Sequence, residues 1–427
     1  MSGRGAKLTV GIAALVAGTV VAGAVLVPVL RDRTSGRAIE TSVPSALSSP
    51  ATSEQVVTTS TATTVALTPA TSEAGTAIIV TATPAATATS ATTATTATSI
   101  EPVTAGDDAV GISLGHDALE SSDTALGRDL ASVYRSGARW IRVDVDWSHI
   151  EAQRGAYDWT ATDRVVAAAT AKHLNILGLI AYTPAWARAD GTTDKHPPLD
   201  TADFARFAGA AATHYLSVGG VNAWEVWNEP NLARFWAPRP DARAYSALLV
   251  DASLAIRHAS PSSTVITGGL SPAVNARDRS EIAPERFLRT MLDAGAGDSF
   301  DAVGAHPYSY PALPSDETTS SWNSFQRLPL LRAQLTRVGM NDRPIWITEI
   351  GAPTGTSRRA VDEERQAEIV VDAIHAARQL PWIGRVFVFN ERDSAPDPSD
   401  AEVNFGLRRF DDTPKLAWDA FAAALKQ

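Results

Sequence analysis

The chain has 427 residues, a formal net charge of −10 and no cysteine. The lack of cysteine excludes disulfides, thiolate metal sites and a catalytic thiol. An acidic chain without a basic cluster is also a poor binder of nucleic acid.

The chain begins with a long apolar run. Residues 8–30, LTVGIAALVAGTVVAGAVLVPVL, are 23 uncharged residues, enough to span a bilayer as a helix. Arg4 and Lys7 precede the run and favour a cytoplasmic N-terminal end. Ala22-Gly23-Ala24 resembles a signal-peptidase site, so residues 1–33 are either an uncleaved transmembrane anchor or a cleaved signal segment. Both alternatives place the rest of the protein outside the cell, either secreted or held at the membrane surface.

Residues 34–106 have the composition of a linker. Every Trp, Tyr, Phe and His of the chain lies at or beyond residue 116. A segment of Thr, Ala, Ser and Pro cannot bury enough apolar surface to offset its conformational entropy. We expect a disordered linker; an O-glycosylated stalk and an undecorated linker have the same composition. The folded domain is therefore expected over residues 107–427.

This domain alternates short apolar strands with amphipathic helices. Eight strand patterns start near residues 109, 138, 175, 221, 264, 300, 344 and 385, and a helical pattern follows each of them. Eight βα units in about 320 residues predict an α/β fold, the (β/α)8 TIM barrel. An open doubly wound sheet would require a glycine-rich phosphate loop after an early strand, but the first strand is followed by GHDALESSD.

Functional residues of such barrels lie where the strands end. The fourth predicted strand ends in Asn228-Glu229 and the seventh in Glu349. A closed barrel brings these ends to one mouth, and paired carboxylates in different environments are what cleavage of a glycosidic bond requires. A mid-strand glutamate, Glu225, is the rival acid; we interpret it as structural and paired with a barrel arginine.

The motifs WNEPN near the fourth strand, HPY at the sixth and ITEIG at the seventh resemble those of the retaining glycoside hydrolases of clan A. The similarity is greatest to family 39, the β-xylosidase-like enzymes, with the cellulase-like family 5 as a near relative. It implies that Glu229 is the acid/base and Glu349 the nucleophile. It also implies substrate or nucleophile contacts for Asn228, His306, Tyr308 and Arg142. At strand eight, where many clan members carry a tryptophan, this chain has Phe389 and Asn390.

Aromatic residues at the mouth could form the apolar platform that a sugar ring requires. Trp186 and Tyr182, after strand three, and Trp236, after strand four, are the candidates. Trp224 and Trp227 point to opposite strand faces, so at least one is expected to pack within the barrel. Asp144 and Asp146 form a D-x-D pattern that we interpret as a strand face rather than a metal site, and Glu391 and Asp393 are rim residues that either contact substrate or are solvated.

The sequence thus predicts an exported retaining glycoside hydrolase that cleaves β-linked O-glycosidic bonds of a polysaccharide or glycoside, without metal or cofactor. Two alternatives stay open: a non-catalytic glycan-binding barrel, and a transglycosidase that uses the same residues. The expected partner is carbohydrate, with the membrane in addition if the N-terminal helix is uncleaved. The oligomeric state and the identity of the sugar are not predicted.

Overall fold

The computed structural model describes residues 109–426. The expectations for the anchor or signal at residues 1–33 and for the linker at 34–106 lie outside this range. Within it, no helix combines the length and the apolar character that crossing a membrane requires.

Eight parallel strands form one sheet in the order β5-β4-β3-β2-β1-β8-β7-β6. Their bounds are β1 Val110–Ser113, β2 Trp140–Asp146, β3 Asn175–Ala181, β4 Val221–Val226, β5 Thr264–Thr267, β6 Val303–Ala305, β7 Ile345–Ile350 and β8 Ile383–Phe389. The sheet closes through a short, irregular seam between β5 and β6, where Ile266 pairs with Ala302 and Leu270 with Ala305. The predicted (β/α)8 barrel is therefore confirmed.

A helix follows each strand and covers the outside of the barrel, and two further helices are single turns. The bounds are α1 Asp117–Glu120, α2 Asp123–Ser136, α3 Trp147–Ile150, α4 Thr160–Thr170, α5 Thr201–Val218, α6 Ala242–Ala259, α7 Pro284–Asp293, α8 Leu328–Arg337, α9 Glu363–Arg378 and α10 Leu416–Ala424. Side chains of Asp200, Asp241 and Asp362 accept backbone N–H groups at the starts of α5, α6 and α9. Each such cap stabilises a helix by about 1 kcal/mol.

A layer of apolar side chains fills the barrel below the mouth. It consists of Trp140, Leu177, Ala223, Ile266, Ala302, Trp346 and Phe387. Strand β1 contributes Gly111, where an added Cβ would lie 2.7 Å from the Trp140 Cβ and 2.9 Å from a Phe387 ring carbon. The layer closes the barrel interior, so the polar residues further along the strands face only the mouth at the C-terminal ends.

Candidate active site

The chain leaves β4 through two residues with left-handed backbone. Trp227 has φ 71° and Glu229 has φ 44°, a conformation that costs non-glycine residues on the order of 1–3 kcal/mol. The buried Trp227 indole holds this turn by donating to the Phe235 carbonyl at 2.8 Å. The turn allows the adjacent side chains of Asn228 and Glu229 to face the same mouth, whereas a regular strand would point them to opposite faces.

An irregularity in β7 allows the adjacent side chains of Thr348 and Glu349 to face the barrel interior together. The pairing of β7 with β8 shifts register between Ile347 and Ile350. Both intervening side chains then contact residues of the barrel interior: Thr348 donates to Glu225 at 3.0 Å, and Glu349 binds Arg142 at 2.8 Å. A regular strand would have turned one of them outward.

The two glutamates meet across the mouth. One carboxylate oxygen of Glu229, one of Glu349 and a ring nitrogen of His306 all lie within 4.8 Å of one another. Carboxyl groups of retaining glycosidases stand about 5–5.5 Å apart, whereas those of inverting enzymes stand about 6.5–9.5 Å apart to admit a water. The separation therefore fits the retaining class.

Arg142 lies beneath Glu349 and connects β2 with β4 and β7. Its guanidinium, 3% exposed, donates to Glu225 Oε2 at 2.6 Å, Glu349 Oε1 at 2.8 Å and Asn228 Oδ1 at 2.9 Å. Burial opposes the charge, but the carboxylates of Glu225 and Glu349 outweigh burial and raise the pKa of Arg142. The arginine is permanently charged, so a buried cation contacts one carboxylate oxygen of Glu349. Glu225 is its structural partner, as the sequence interpretation proposed.

Tyr308 is the second donor to Glu349. Its hydroxyl donates to Glu349 Oε2 at 2.8 Å. Burial, and then the charge of Glu349, raises the pKa of the phenol well above its usual value. The phenol therefore keeps its proton and holds one carboxylate oxygen while Arg142 holds the other.

His306 connects Glu229 to the floor of the mouth. Its Nδ1 lies 2.9 Å from Glu229 Oε1, and its Nε2 lies 3.1 Å from Thr348 Oγ1. The Thr348 hydroxyl already donates to Glu225, so it can only accept from Nε2–H. With Nε2–H directed at Thr348, Nδ1 is the ring nitrogen that faces the carboxyl group of Glu229.

Two adjacent glycines allow close packing here, Gly269 against the His306 imidazole and Gly268 against the backbone of Trp227. An added Cβ at Gly269 would lie 2.1 Å from His306 Nε2 and 2.6 Å from Thr348 Oγ1. At Gly268 it would lie 2.5 Å from the Trp227 carbonyl oxygen. The backbone N–H of Gly269 donates to Glu225 Oε1 at 2.8 Å. The irregular β5–β6 seam thus holds His306 at the site, a role that the sequence interpretation missed although TGG stands at the end of the fifth strand.

The protonation of His306 predicts a pH-dependent contribution to stability. Burial opposes its charge, but Glu349 and Glu229 outweigh burial and raise the pKa of His306. Because the folded pKa exceeds the unfolded value of about 6.5, this contribution is complete below about pH 6.5 and is lost as the pH rises through the folded pKa. Urea unfolding should show that the stability deficit of His306→Gln, which cannot be protonated, is larger at pH 6 than at pH 9. A deficit that grows with pH would contradict the assignment.

The three predicted aromatic platform residues have different positions. Tyr182 lies at the mouth: burial, and then Asp144 and Glu229, raise the pKa of its phenol, while Lys195 Nζ stands 3.1 Å from the ring centroid. Trp236 is 2% exposed and packs against Trp227 and Tyr245. The prediction that Trp236 stacks on a sugar is therefore wrong, because neither face of its ring is accessible.

Trp186 also does not face the carboxylates. Its indole donates to the Glu151 carbonyl at 2.7 Å, and the guanidinium groups of Arg154 and Arg206 lie over its ring. The ring is occupied by these arginines, so a platform role at Trp186 is not supported. Trp224 and Trp227 are both fully buried. The aromatic surface around WNEPN is therefore barrel packing.

A group of half-buried aromatic rings lies instead at and beyond the ends of β6 and β8. Phe389, at the end of β8, is half-buried, and its ring packs edge-on against Phe405 at 5.6 Å between centroids. Phe405 also contacts Tyr308 and Tyr310. Asn390 is 6% exposed, so Phe389 is the more accessible of the two residues at the end of β8.

Neither acidic residue after β8 is solvated. Asp393 binds the buried Lys415 at 2.6 Å. Glu391 is 5% exposed, burial raises its pKa to about 7, and Arg408 lies 3.7 Å away. Both carboxyl groups belong to the packing of the loop that follows β8.

Glu229, His306 and Glu349 are the group of three metal-ligating side chains that residues 109–426 bring together. His306 Nδ1 lies 2.9 Å from Glu229 and 3.5 Å from Glu349. The imidazole thus stands where a cation would bridge the two carboxylates. We therefore interpret the trio as an acid–base arrangement.

Solved structures share this fold. A family 39 glycoside hydrolase from Bacteroides cellulosilyticus WH2 is 24% identical, with a TM-score of 0.59 over 75% of this chain and 63% of that chain. A monomeric β-xylosidase from Caulobacter crescentus CB15 is 21% identical, with a TM-score of 0.57 over 74% of this chain and 67% of that chain. A GH5_18 protein from Streptomyces cattleya, solved with GlcNAc, is 19% identical, with a TM-score of 0.59 over 75% and 80%.

The chain spans less than two thirds of the family 39 protein from Bacteroides, and these identities bear on fold alone. No curated protein matches the sequence. A family model described as Cellulase (glycosyl hydrolase family 5) matches residues 117–386. The resemblance to clan A is thus confirmed. Since the matched region is more than half of the chain and contains both Glu229 and Glu349, the chain belongs to glycosyl hydrolase family 5, a family of glycosidases.

Proposed function

We propose that the protein is an exported glycosidase that cleaves β-linked glycosides with retention of configuration. The observation that carries the proposal is the approach of Glu229 and Glu349 to within 4.8 Å across the mouth. Their surroundings differ in the way that the mechanism demands. Arg142 and Tyr308 each donate a hydrogen bond to Glu349, whereas Glu229 contacts the imidazole of His306.

In the first step Glu349 attacks the anomeric carbon while Glu229 protonates the departing glycosidic oxygen. The C–O bond to the leaving group breaks as the bond to Glu349 forms, which gives a glycosyl-enzyme ester. In the second step Glu229, now a carboxylate, takes a proton from water, and the water oxygen displaces Glu349. Two inversions give net retention. His306 supports both roles of Glu229, because its Nδ1 can accept or return the same proton.

Asn228 is the proposed contact for the sugar 2-hydroxyl. Its side-chain oxygen accepts from Arg142 at 2.9 Å, which fixes the amide orientation and points the NH2 group away from the guanidinium. An amide held in this way can donate to a hydroxyl beside the anomeric carbon. Such contacts to the 2-hydroxyl strengthen in the transition state.

Stereochemistry tests the mechanism directly. The purified protein is offered a panel of aryl β-glycosides, including xyloside, glucoside, mannoside and N-acetylglucosaminide, and proton NMR records the anomer that forms first. We expect the β-anomer, followed by slow mutarotation. The α-anomer as first product would contradict a double displacement. If the protein is a transglycosidase, the reaction in the presence of an added sugar acceptor should yield new glycosides of that acceptor.

The alternative of a glycan-binding barrel predicts a different result. In that case the wild type and Glu349→Gln would be equally inert across the panel while glycans still bind. A binding module has no need for a nucleophile held by Arg142 and Tyr308 opposite a proton donor, which favours the enzyme.

Export is proposed on the sequence. The uncharged residues 8–30 follow Arg4 and Lys7, as in a secretory signal or membrane anchor. Fractionation of cells that express the full chain separates three outcomes. Protein in the medium indicates a cleaved signal, protein in the membrane fraction indicates an anchor, and protein in the cytoplasm indicates that it is not exported.

A further inference from the structure

Asp144 is a carboxylate at the mouth that the catalytic network leaves without a hydrogen bond. It stands two residues beyond Arg142 in β2, hence on the same inward face and nearer the rim. Its side chain is 26% exposed, and its nearest ionisable partner is His116, whose Nδ1 lies 3.9 Å away. That distance exceeds a hydrogen bond. Among residues 109–426, none donates a hydrogen bond to this carboxylate.

Asp146, the other carboxylate of the D-x-D pattern, has partners for both of its oxygens. Asp146 Oδ1 accepts from the Ser148 backbone at 2.8 Å and from its hydroxyl at 2.6 Å. Asp146 Oδ2 lies 3.0 Å from His149 Nδ1. Asp146 therefore caps the short helix α3, and only Asp144 has free acceptor oxygens.

Asp144 follows Arg142 on the inward face of β2, and Arg142 binds the nucleophile Glu349 at 2.8 Å. Burial, together with the charges of Asp146 and Glu349, raises the pKa of Asp144 to about 6, although Arg142 and His116 act in the opposite direction. Burial, and then the charge of Asp144, raises the pKa of the half-buried Tyr182 phenol. Asp144 is therefore a half-buried carboxylate on the same strand face as the arginine that holds Glu349.

A half-buried carboxylate without protein donors keeps its acceptor oxygens available to a ligand. A sugar ring brings pairs of neighbouring hydroxyl groups, each of which can donate to one carboxylate oxygen. Such charge-assisted hydrogen bonds are stronger than neutral ones. A sugar acid at the same place would bring a second negative charge toward Asp144 and Glu349.

We propose that Asp144, with His116 beside it, selects the sugar to be cleaved by accepting hydrogen bonds from its ring hydroxyls. The preferred glycone is an uncharged sugar, and glycuronides are disfavoured. This inference rests on the proposed glycosidase function and deepens it by naming the substrate class.

The test compares Asp144→Asn with wild type on two matched substrates, an aryl β-glucoside and the corresponding aryl β-glucuronide. On the neutral glycoside we expect kcat/KM to fall roughly 10- to 100-fold, the loss typical of a hydrogen bond to a charged group. On the glucuronide we expect no loss. The ratio of the two kcat/KM values should thus move toward the glucuronide by at least about tenfold.

Asp146→Asn is the matched control. It carries the same chemical change two residues away, and weakening the cap of α3 should lower Tm slightly while leaving the substrate ratio unchanged. Deoxy analogues of the neutral glycoside give a second measurement. Once the hydroxyl that contacts Asp144 has been removed, Asp144→Asn should cause little further loss.

Equal kcat/KM values for wild type and Asp144→Asn on the neutral glycoside would overturn the inference, as would an equal loss on both substrates. Inactivity of the wild type on every glycoside would instead overturn the proposed function. In that case calorimetry with the uncharged methyl β-glucoside tests the role of Asp144 independently of catalysis. Weaker binding by Asp144→Asn than by the wild type supports the inference, and equal binding contradicts it.

Discussion

Replacement of Glu349 by alanine should lower kcat on an activated aryl β-glycoside by about 10⁴- to 10⁶-fold, the range for loss of a nucleophile that acts with partner residues. Without this carboxylate no glycosyl-enzyme can form. Added azide should restore part of the activity, because the anion fits the space left between Arg142 and Tyr308, which held the carboxylate at 2.8 Å each. The product expected from the β-glycoside is the α-glycosyl azide, formed by a single inversion.

The same experiment on Glu229→Ala assigns the second carboxylate. There Glu349 still forms the intermediate from a substrate with a good leaving group, and azide attacks that intermediate, so the expected product is the β-glycosyl azide. Product NMR distinguishes the two azides. If Glu349→Ala gave the β-glycosyl azide instead, Glu349 would be the acid/base and Glu229 the nucleophile.

Replacement of Arg142 by methionine should be the most destabilising single change at the site. It removes the cation from Glu225, which is 0% exposed and bound at 2.6 Å. Leaving a buried charge without its partner costs about 3–5 kcal/mol, which urea unfolding measures. Arg337→Met is the control: its pair with Asp293 is 43% and 49% exposed, and such a pair contributes about 0–1 kcal/mol.

The double variant Arg142→Met, Glu225→Gln separates stability from catalysis. The amide removes the unpaired charge, so much of the lost unfolding free energy should return. Activity should not return, because Glu349 still lacks the guanidinium that holds one of its carboxylate oxygens. Recovery of both properties together would mean that Arg142 acts on the fold alone.

The barrel could be predicted from the sequence because its signals are local. Each strand is a short apolar run, each helix has a regular apolar face, and the mouth residues follow from where the strands end. Glu229, Glu349, His306 and Tyr308 are at such ends, and the structure brings them together. Arg142 and its partner Glu225 were predictable as well, since alternation places both inside the barrel.

The platform residues were not predictable in this way. Trp236 and Trp186 lie in loops, where no periodicity tells which face of a ring is covered, and tertiary packing buries the first and places two arginines over the second. The register shift that turns Thr348 inward also cannot be recognised from the sequence ITEIG. The role of Thr348 between His306 and Glu225 follows only from distances across three strands.

Gly269, which follows β5, has an evolutionary consequence. A side chain at position 269 would occupy the space of the imidazole, so a lineage that replaces this glycine must also give up His306 or move it. The two positions are therefore expected to change together among descendants of this barrel. Loss of the glycine alone would mark a copy that has abandoned catalysis while keeping its two glutamates.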